Sequence, residues 1–377
     1  MVAMSLSDFA ALCLYYLKSE ERLLRSSFIS GYNGYMSTIL TYVPALAHTK
    51  QHHPENHARL SGLMPALEMF GILEEVTAVV PQLATYDQLR RVHTSGVIDY
   101  VRQISDQGGG LLDAGDTYAT AESYDLARLA VGGCCTAVDK MMTGEAKNGF
   151  ALVRPPGHHA ESDRVSGFCL FNNIAAAARH AQIVHGVERI LILDFDVHHG
   201  NGTQDIFYED DSVMFASLHL YARYFYPGIG GMYEVGTRMG HGYTLNVPFP
   251  AGVGDVGYLR AMQEIIMPKA RAFQPQLLLI SAGFDAHWRD PLAMANLSLK
   301  GYGWLTQMLI ELADELCNGR ILFVLEGGYQ LDVLTYGIIN VFYSLLGRDE
   351  IYDPFGAAPE IEKDISPLLE QLKARYL

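Results

Sequence analysis

The sequence has no paired-cysteine motif, no long apolar run and a shortage of basic residues. Its five cysteines are odd in number and include the neighbours Cys134 and Cys135, which predicts reduced, mostly buried thiols rather than disulfides. No apolar run reaches the roughly 18 residues that a membrane helix requires, and residues 9–17 lack the basic flank of a secretion signal. We therefore expect a cytoplasmic protein without a membrane partner.

The charge balance bears on other partners. Lys and Arg number 27 against 42 Asp and Glu, which gives a formal net charge of -15. Because nucleic-acid binding relies on an excess of Lys and Arg opposite the phosphates, we expect no nucleic-acid partner. Hydrophobic residues make up 49% and charged residues 18%, a balance typical of globular proteins and unlike disordered chains. A homo-oligomer is compatible with this composition.

The chain is expected to hold one main domain with a short segment on either side. Residues 1–35 are interpreted as an N-terminal extension, because an amphipathic stretch is followed there by a glycine-rich break. Residues 36–350 show no linker, low-complexity segment or repeat and form the predicted main domain. Residues 351–377 carry three prolines and a last charged helix. We expect this tail to pack on the outside of the domain.

Within the main domain, short β-branched runs alternate with longer helical patterns. Six runs predict strands at residues 150–154, 189–196, 213–219, 243–248, 277–285 and 320–328. Four patterns predict helices at residues 172–185, 258–273, 303–317 and 333–346. Strands that are apolar on both faces and separated by helices belong to parallel sheets covered on each side. The predicted fold class is therefore α/β, with a central, mostly parallel sheet flanked by helices on both faces.

Polar clusters follow four of the predicted strands. They are RPPGHHAES, DFDVHHGNG, GFDAHWRDP and LEGGYQ, in chain order. The carboxyl ends of parallel strands lie at the same edge of a sheet, where their loops face a common crevice. We therefore expect acidic, histidine and tyrosine side chains to meet at this edge.

The DFDVHH segment predicts a metal site. Asp194, Asp196 and His198 alternate along the chain, so an extended backbone would project their side chains to one side. Asp285, at a separate strand end, would join Asp196 and His198 as a third ligand. Two aspartates and one histidine leave one position open on Zn(II), as in catalytic rather than structural sites. Singly these residues could be capping aspartates and a core histidine, but their joint occurrence at strand ends favours the metal site.

Two further motifs offer groups for proton transfer and oxyanion binding. His158 and His159 follow a rigid Pro-Pro-Gly turn that would hold both rings near the crevice. Neutral imidazole is suited to proton transfer near pH 7. Tyr329 follows two glycines and could present its phenol to a substrate carbonyl, although alone it would be interpreted as one packed tyrosine among 22.

These motifs resemble those of the histone deacetylase superfamily, in particular its class II-like bacterial amidohydrolases and the related acetylpolyamine amidohydrolases. The likeness runs through residues 39–347 and includes HPENHARL, RPPGHHAES, GFCLFNN, DFDVHHGNGTQ, GFDAHWRDP and LEGGY in the family's order. The resemblance implies an arginase-like fold with the catalytic domain in residues 36–350. It also implies a zinc-dependent amide hydrolase that deacylates acyl-lysine or a similar acylated amine.

The resemblance further implies roles for individual residues. The zinc ligands, for one ion per chain, would be Asp196, His198 and Asp285, and the catalytic residues His158, His159, Asp194, Asn201 and Tyr329. His159 would be the general base, and His158 its more strongly charged partner. A structural potassium ion would lie near Asp194, Asp196, His198, Ser217 and Leu218. A second monovalent-cation site would lie near Phe207, Asp210, Val213 and Tyr243.

The substrate would enter a narrow apolar slot, according to the same resemblance. Phe168 and Tyr226 would form its walls, and Gly167, Leu292 and Asp116 would also contact substrate. Arg59 would face a cavity behind the metal. Tyr226 stands where the family usually has phenylalanine, and Asn201 where the nuclear class I enzymes have aspartate. Leu292 stands where polyamine-selective relatives often have glutamate, which favours acyl-lysine or a small acylated amine.

Three alternatives stay open at this point. The first is an amidohydrolase of acetylpolyamines or other small molecules. The second is a ureohydrolase resembling arginase, which would need two manganese ions; the segment His198-His199-Gly200 after Asp196 fits one metal better. The third is a binding protein that has lost catalysis, against which stands the presence of every expected ligand and catalytic residue.

Overall fold

The computed structural model describes residues 37–377, so the predicted extension over residues 1–35 lies outside the described residues. The strands in this part of the chain are β1 (Ser37–Val43), β2 (Val76–Val79), β3 (Gly109–Leu111), β4 (Tyr118–Thr120), β5 (Ala146–Val153), β6 (Ile190–Asp194), β7 (Val213–Leu220), β8 (Thr244–Phe249), β9 (Leu277–Ala282) and β10 (Ile321–Leu325). The helices are α1 (Ala58–Ser61), α2 (Leu63–Met69), α3 (Tyr86–Arg90), α4 (Ser95–Asp106), α5 (Ser123–Met142), α6 (Asn173–His185), α7 (Asn201–Phe207), α8 (Asp255–Ala261), α9 (Met267–Phe273), α10 (Leu299–Cys317), α11 (Leu331–Leu345) and α12 (Ser366–Tyr376).

Eight of the described strands form one sheet, in the order β2-β1-β5-β10-β9-β6-β7-β8. Every neighbouring pair in this sheet is parallel, and β3 and β4 form a separate short antiparallel ribbon. The predicted α/β class with a parallel sheet is therefore confirmed. All six predicted strands and four predicted helices are present, and the pattern over residues 258–273 forms α8 and α9 with a π-helical turn, Met262–Ile266, between them.

The central strands are buried on both faces, which explains their near-continuous apolar runs. Every residue of β6, β9 and β10 is buried, and helices cover the two sides of the sheet in two separate apolar clusters. The helices begin and end at recognisable signals. Asn172 caps α6 by accepting a hydrogen bond from the Ala175 N–H, and the helix ends at Gly186 in the left-handed conformation.

The strand order brings the four polar clusters together. β5, β10, β9 and β6 are consecutive in the middle of the sheet, and each is followed by one of the clusters found in the sequence. Because these strands are parallel, the four clusters leave the sheet at the same edge. No helix among residues 37–377 is long and apolar enough to cross a membrane.

Candidate active site

Asp196, His198 and Asp285 converge at the carboxyl edge of the sheet. Nδ1 of His198 lies 3.2 Å from Oδ1 of Asp196 and 3.1 Å from Oδ2 of Asp285. The three side chains offer ligand atoms that all lie within 4.8 Å of one another. Both carboxylates are fully buried, and His198 is partly accessible. One imidazole nitrogen and two carboxylate oxygens facing one point suit a zinc ion with one position left open, so the residues present fit the metal.

The local backbone differs from the extended chain that the spacing predicts. β6 ends at Asp194, and the next residues bend. The Asp194 carboxylate accepts the Asp196 N–H at 3.0 Å, and the Asp196 carboxylate accepts the His198 N–H at 2.9 Å. Two turns, each closed by an aspartate side chain, thus bring the side chains together in place of the predicted strand alternation.

Backbone donors from neighbouring strand ends hold the two carboxylates in place. The Gly327 N–H donates to Oδ2 of Asp196 at 2.8 Å, and the Val197 N–H donates to Oδ1 of Asp285 at 2.9 Å. Each aspartate keeps its other oxygen toward His198. Glycine at 327 is required by space, because a Cβ there would lie 2.2 Å from the Asp285 carboxylate.

His158 is hydrogen-bonded to Asp194, and its Nε2 lies 3.9 Å from Oδ2 of Asp196. Its Nδ1 lies 2.9 Å from Oδ2 of Asp194, and its backbone N–H, with that of Gly157, donates to the buried Glu326 carboxylate. Burial disfavours the imidazolium, but the charges of Asp194 and Asp196 outweigh that effect and raise the pKa of His158 to about 10. His158 is therefore the charged member of the histidine pair.

His159 has a different environment. Its ring lies 4.0 Å from that of His158, and its Nδ1 contacts Oδ1 of Asn201 at 2.7 Å. Burial and the neighbouring charge of His158 hold the pKa of His159 well below its usual value. A neutral imidazole next to the metal ligands can accept a proton, as a general base must.

Tyr329 lies on the loop after β10. Its N–H donates to Oδ2 of Asp290 at 2.8 Å, and the Arg59 guanidinium lies 5.0 Å from its ring centroid. Nε of Arg59 also donates to the Gly328 carbonyl at 2.9 Å, so this arginine fixes the loop from behind. Burial raises the pKa of the Tyr329 phenol well above its usual value, which keeps the phenol protonated and able to donate.

The predicted slot residues surround this group. The Phe168 ring makes an edge contact with Tyr329 at 6.0 Å, and the Tyr226 ring makes one with His159 at 4.9 Å. Gly167 has a φ of 55° and lies against His159, where a Cβ would come within 2.3 Å of the ring. Asp116 is exposed beside Thr117, whose hydroxyl accepts the Phe168 N–H.

Leu292 lies near this rim and is half-buried. Its N–H donates at 3.0 Å to Asp290, the carboxylate whose other oxygen holds the Tyr329 loop.

Comparison with known proteins places the chain in one family. The family model described as "Histone deacetylase domain" matches residues 53–345. The chain belongs to the histone deacetylase family. It is 40% identical over 327 residues to "Histone deacetylase 14, chloroplastic" of Arabidopsis thaliana, covering 82% of this chain and 77% of that protein. It is 38% identical over 331 residues to "Histone deacetylase-like amidohydrolase" of Pseudomonas aeruginosa, covering 86% of each.

A solved deacetylase structure is similar along nearly the whole chain. The crystal structure of the HDA15 HD domain has a TM-score of 0.81 and 39% sequence identity. It covers 90% of this chain and 93% of that one. The resemblance inferred from the motifs is therefore confirmed, and the chain is a hydrolase of the histone deacetylase and amidohydrolase type.

In this histone deacetylase-family chain, the residues predicted for potassium lie next to the predicted zinc ligands. Asp194 and Ser217 are paired across β6 and β7, and Leu218 follows on β7. The residues of the second predicted cation site lie around the start of β7. There the Asp210 carboxylate receives the Arg179 guanidinium at 2.6 Å, and the Tyr243 carbonyl accepts the Phe215 N–H. Both potassium assignments stay predictions.

A second histidine cluster, away from the deacetylase site, resembles a metal site in composition. Nε2 of His180 and Nε2 of His185 lie 2.7 and 2.6 Å from the same oxygen of Asp139. Arg91 donates to Nδ1 of His180, however, so Nε2 of that ring is the nitrogen that donates to Asp139. The cluster is satisfied as hydrogen bonds.

Three carboxylates of the site are present in the sequence motifs but receive no role from sequence reasoning. Glu326 accepts the backbone N–H groups of the histidine turn, Asp290 accepts those of the Tyr329 loop, and Glu161 accepts from Asn201. Their presence in RPPGHHAES, GFDAHWRDP and LEGGYQ is the only signal that could have found them. Which backbone group each would meet depends on strand neighbours that the sequence does not reveal.

Proposed function

We propose that this chain is a zinc-dependent deacylase that hydrolyses the amide of acetyl-lysine or a similar acylated amine. The observation that carries the proposal is the convergence of Asp196, His198 and Asp285 on one point, with the His159 ring 6.0 Å from that of His198. Zinc, when bound there, supplies Lewis acidity toward the amide carbonyl and lowers the pKa of water at the site.

The chain's own residues would divide the remaining work. His159 would accept a proton from the attacking water and later deliver it to the leaving amine nitrogen. The phenol of Tyr329 would donate a hydrogen bond to the carbonyl oxygen as its negative charge develops. His158, charged and bonded to Asp194, would hold positive potential under the reacting atoms. That potential favours the neutral state of His159 before the reaction begins.

The slot residues would choose the substrate. Phe168 and Tyr226 offer aromatic surface to an alkyl chain, which suits the four methylenes of an acyl-lysine. Gly167, which has no side chain, would let the protein backbone approach the alkyl chain of the substrate. Asp116 at the rim would accept a hydrogen bond from a backbone amide of the substrate. Leu292 offers no charge to a polyamine nitrogen, so we favour acyl-lysine over acetylpolyamine. The printed name of the Pseudomonas relative, an amidohydrolase, keeps small acylated amines as the second candidate.

The test is turnover on a matched substrate panel. Zinc-loaded protein is assayed with acetyl-lysine peptides, acetylputrescine and acetylspermidine, before and after a chelator, and zinc content is measured in parallel. We expect one zinc per chain, highest kcat/KM on an acyl-lysine substrate, and loss of turnover on chelation that zinc restores. A higher kcat/KM on the acetylated polyamines would contradict the assignment of acyl-lysine as substrate. Two manganese ions per chain would support a ureohydrolase instead.

We retain a structural potassium ion near Asp194, the cytoplasm as compartment and the absence of nucleic-acid partners as parts of this proposal. The potassium assignment is checked by the dependence of thermal stability on potassium against sodium. Because the Arabidopsis relative is named chloroplastic, compartment is checked by fractionating the source cells. Oligomeric state is checked by light scattering.

A further inference from the structure

The orientation of the Asn201 side-chain amide determines which ring nitrogen of His159 carries the proton. Its Oδ1 lies 2.7 Å from Nδ1 of His159, and its Nδ2 donates to Oε1 of Glu161 at 2.7 Å. An asparagine amide fits the same space in either orientation, since its oxygen and nitrogen differ little in shape. Turned over, the amide would offer N–H to His159, and the proton of the ring would move to Nε2. A base with its proton there cannot accept another from the reacting water.

Glu161 permits only one of the two orientations of the Asn201 amide. An ionised carboxylate has lone pairs and no hydrogen to donate, so it can be paired only with the N–H side of the Asn201 amide. The carbonyl oxygen of Asn201 must then face His159, whose Nδ1 has to carry the proton. The unprotonated Nε2 is left for proton transfer. Asn201 and Glu161 are both nearly fully buried, at 4% and 9% exposure, so water competes little for these groups.

The structure holds Glu161 firmly from two sides. Its carbonyl oxygen accepts from Nδ1 of His93 at 2.9 Å, and Nε2 of that ring accepts the Asn172 N–H at 2.9 Å, which fixes the ring's own tautomer. The Glu161 N–H donates to the Arg164 carbonyl at 2.9 Å. The Arg164 guanidinium contacts the second oxygen of the Glu161 carboxylate and leaves Oε1 for Asn201.

We propose that Glu161 is a positioning residue that selects the Nδ1-protonated form of His159 by fixing the orientation of the Asn201 amide. The catalytic consequence rests on the proposed function, because it requires His159 to act as the base. The tautomer itself does not depend on any activity and can be measured separately.

The sharpest test exchanges the donor and acceptor between the two positions. In Asn201→Asp alone, two carboxylates face each other and we expect kcat to fall by about 10- to 100-fold, in the range of second-sphere substitutions. In Glu161→Gln alone, the new amide can turn Asn201 over, and we expect a fall in kcat of about tenfold with KM nearly unchanged. In the double variant, the carboxylate introduced at position 201 can accept both from His159 and from the amide introduced at position 161. We expect kcat to recover at least about tenfold above Asn201→Asp, a coupling that independent sites do not show.

The matched control is Asp163→Asn, which removes a carboxylate from an exposed position of the same loop. It should keep wild-type kcat and a wild-type pH profile. Glu161→Gln should instead lose activity at every pH of the plateau, since the wrong tautomer is inactive regardless of proton concentration. A double variant no better than the poorer single variant, or Glu161→Gln with wild-type kcat, would overturn the proposal.

Nitrogen-15 NMR of zinc-loaded protein supplies the second readout. With the His159 signals assigned by comparison with His159→Ala, the wild type should show protonated Nδ1, and Glu161→Gln should show a fraction with protonated Nε2. A wild-type ring protonated on Nε2 contradicts the proposal even if a variant fails to fold. The correct tautomer in a protein that hydrolyses no acylated amine would leave this inference standing and reject the proposed function.

Discussion

The backbone N–H of Val197 donates to Oδ1 of Asp285 at 2.9 Å, across 88 positions of sequence. This bond joins the loop after β6 to the loop after β9, and it leaves Oδ2 of Asp285 facing His198. Each of the two distant ligand segments therefore orients the other. Backbone donors thus fix the orientation of both carboxylates.

Two substitutions of Asp285 distinguish its expected role as a metal ligand from its hydrogen bond with the Val197 N–H. Asp285→Asn can still accept the Val197 N–H but offers the metal no negative charge, whereas Asp285→Ala offers neither. We expect Asn to weaken zinc affinity by at least about tenfold and Ala to abolish detectable zinc, with hydrolysis lost in both. Zinc is measured by mass spectrometry after dialysis against a buffered chelator. Asp314→Asn, which alters an exposed ion pair with Lys147, should keep full zinc content; full zinc in Asp285→Ala would refute the ligand assignment.

Tyr329→Phe removes only the phenolic oxygen. Because loss of one oxyanion donor typically costs about 100- to 1000-fold in turnover, we expect kcat to fall by that factor while KM changes little. Zinc content should be unchanged, since Tyr329 is not in the ligand set. The same deletion at the exposed Tyr233 is the control and should leave kcat intact. A wild-type kcat in Tyr329→Phe would show that Tyr329 does not donate to the oxyanion.

Gly167→Ala tests the contact between the slot and the general base. The added Cβ would lie 2.3 Å from the His159 ring. The backbone φ of 55° at this position is one that residues other than glycine rarely adopt. We expect a stability loss of about 1–3 kcal/mol from strain and overpacking, and a fall in kcat larger than that loss explains. Gly144→Ala is the matched control, because φ there is 81° but the space is open. It should lose about 1 kcal/mol of stability and no kcat; equal kcat in both variants would show that the His159 contact is irrelevant.

The buried His93 makes stability depend on pH. Burial lowers its pKa from 6.5 to about 4, so between these values the unfolded chain binds a proton that the folded protein excludes. Stability from this group is therefore present above pH 6.5 and is lost as the pH falls toward 4, by about 3 kcal/mol in total. His93→Gln keeps one donor and one acceptor but does not titrate. We expect the free energy of unfolding in urea to fall less from pH 7.5 to 4.5 in the variant than in wild type; parallel curves would contradict the assignment.

Several parts of the fold and site can be predicted from the sequence because they are local. β6, β9 and β10 are continuous apolar runs because both of their faces are buried. Their composition alone therefore indicates that they are central strands. Asp196, His198 and Asp285 can be proposed as ligands because each follows such a run. α5, by contrast, is not among the predicted helices. Its central Gly132-Gly133 pair is a poor helix former, and the close approach of the Gln82 backbone that requires Gly132 is not visible in the sequence.

The sequence by itself determined the α/β class and the family to which the chain belongs, and it supplied the candidate ligands and bases, because these reside in residue identity and short-range pattern. Only the tertiary structure decided that β5, β10, β9 and β6 are neighbours, that Val197 supports Asp285, and that Glu161 faces Asn201. These relationships depend on sheet order and on the angle at which each loop leaves its strand. They join residues that are distant along the chain, and no local pattern of side chains encodes a distance of that kind.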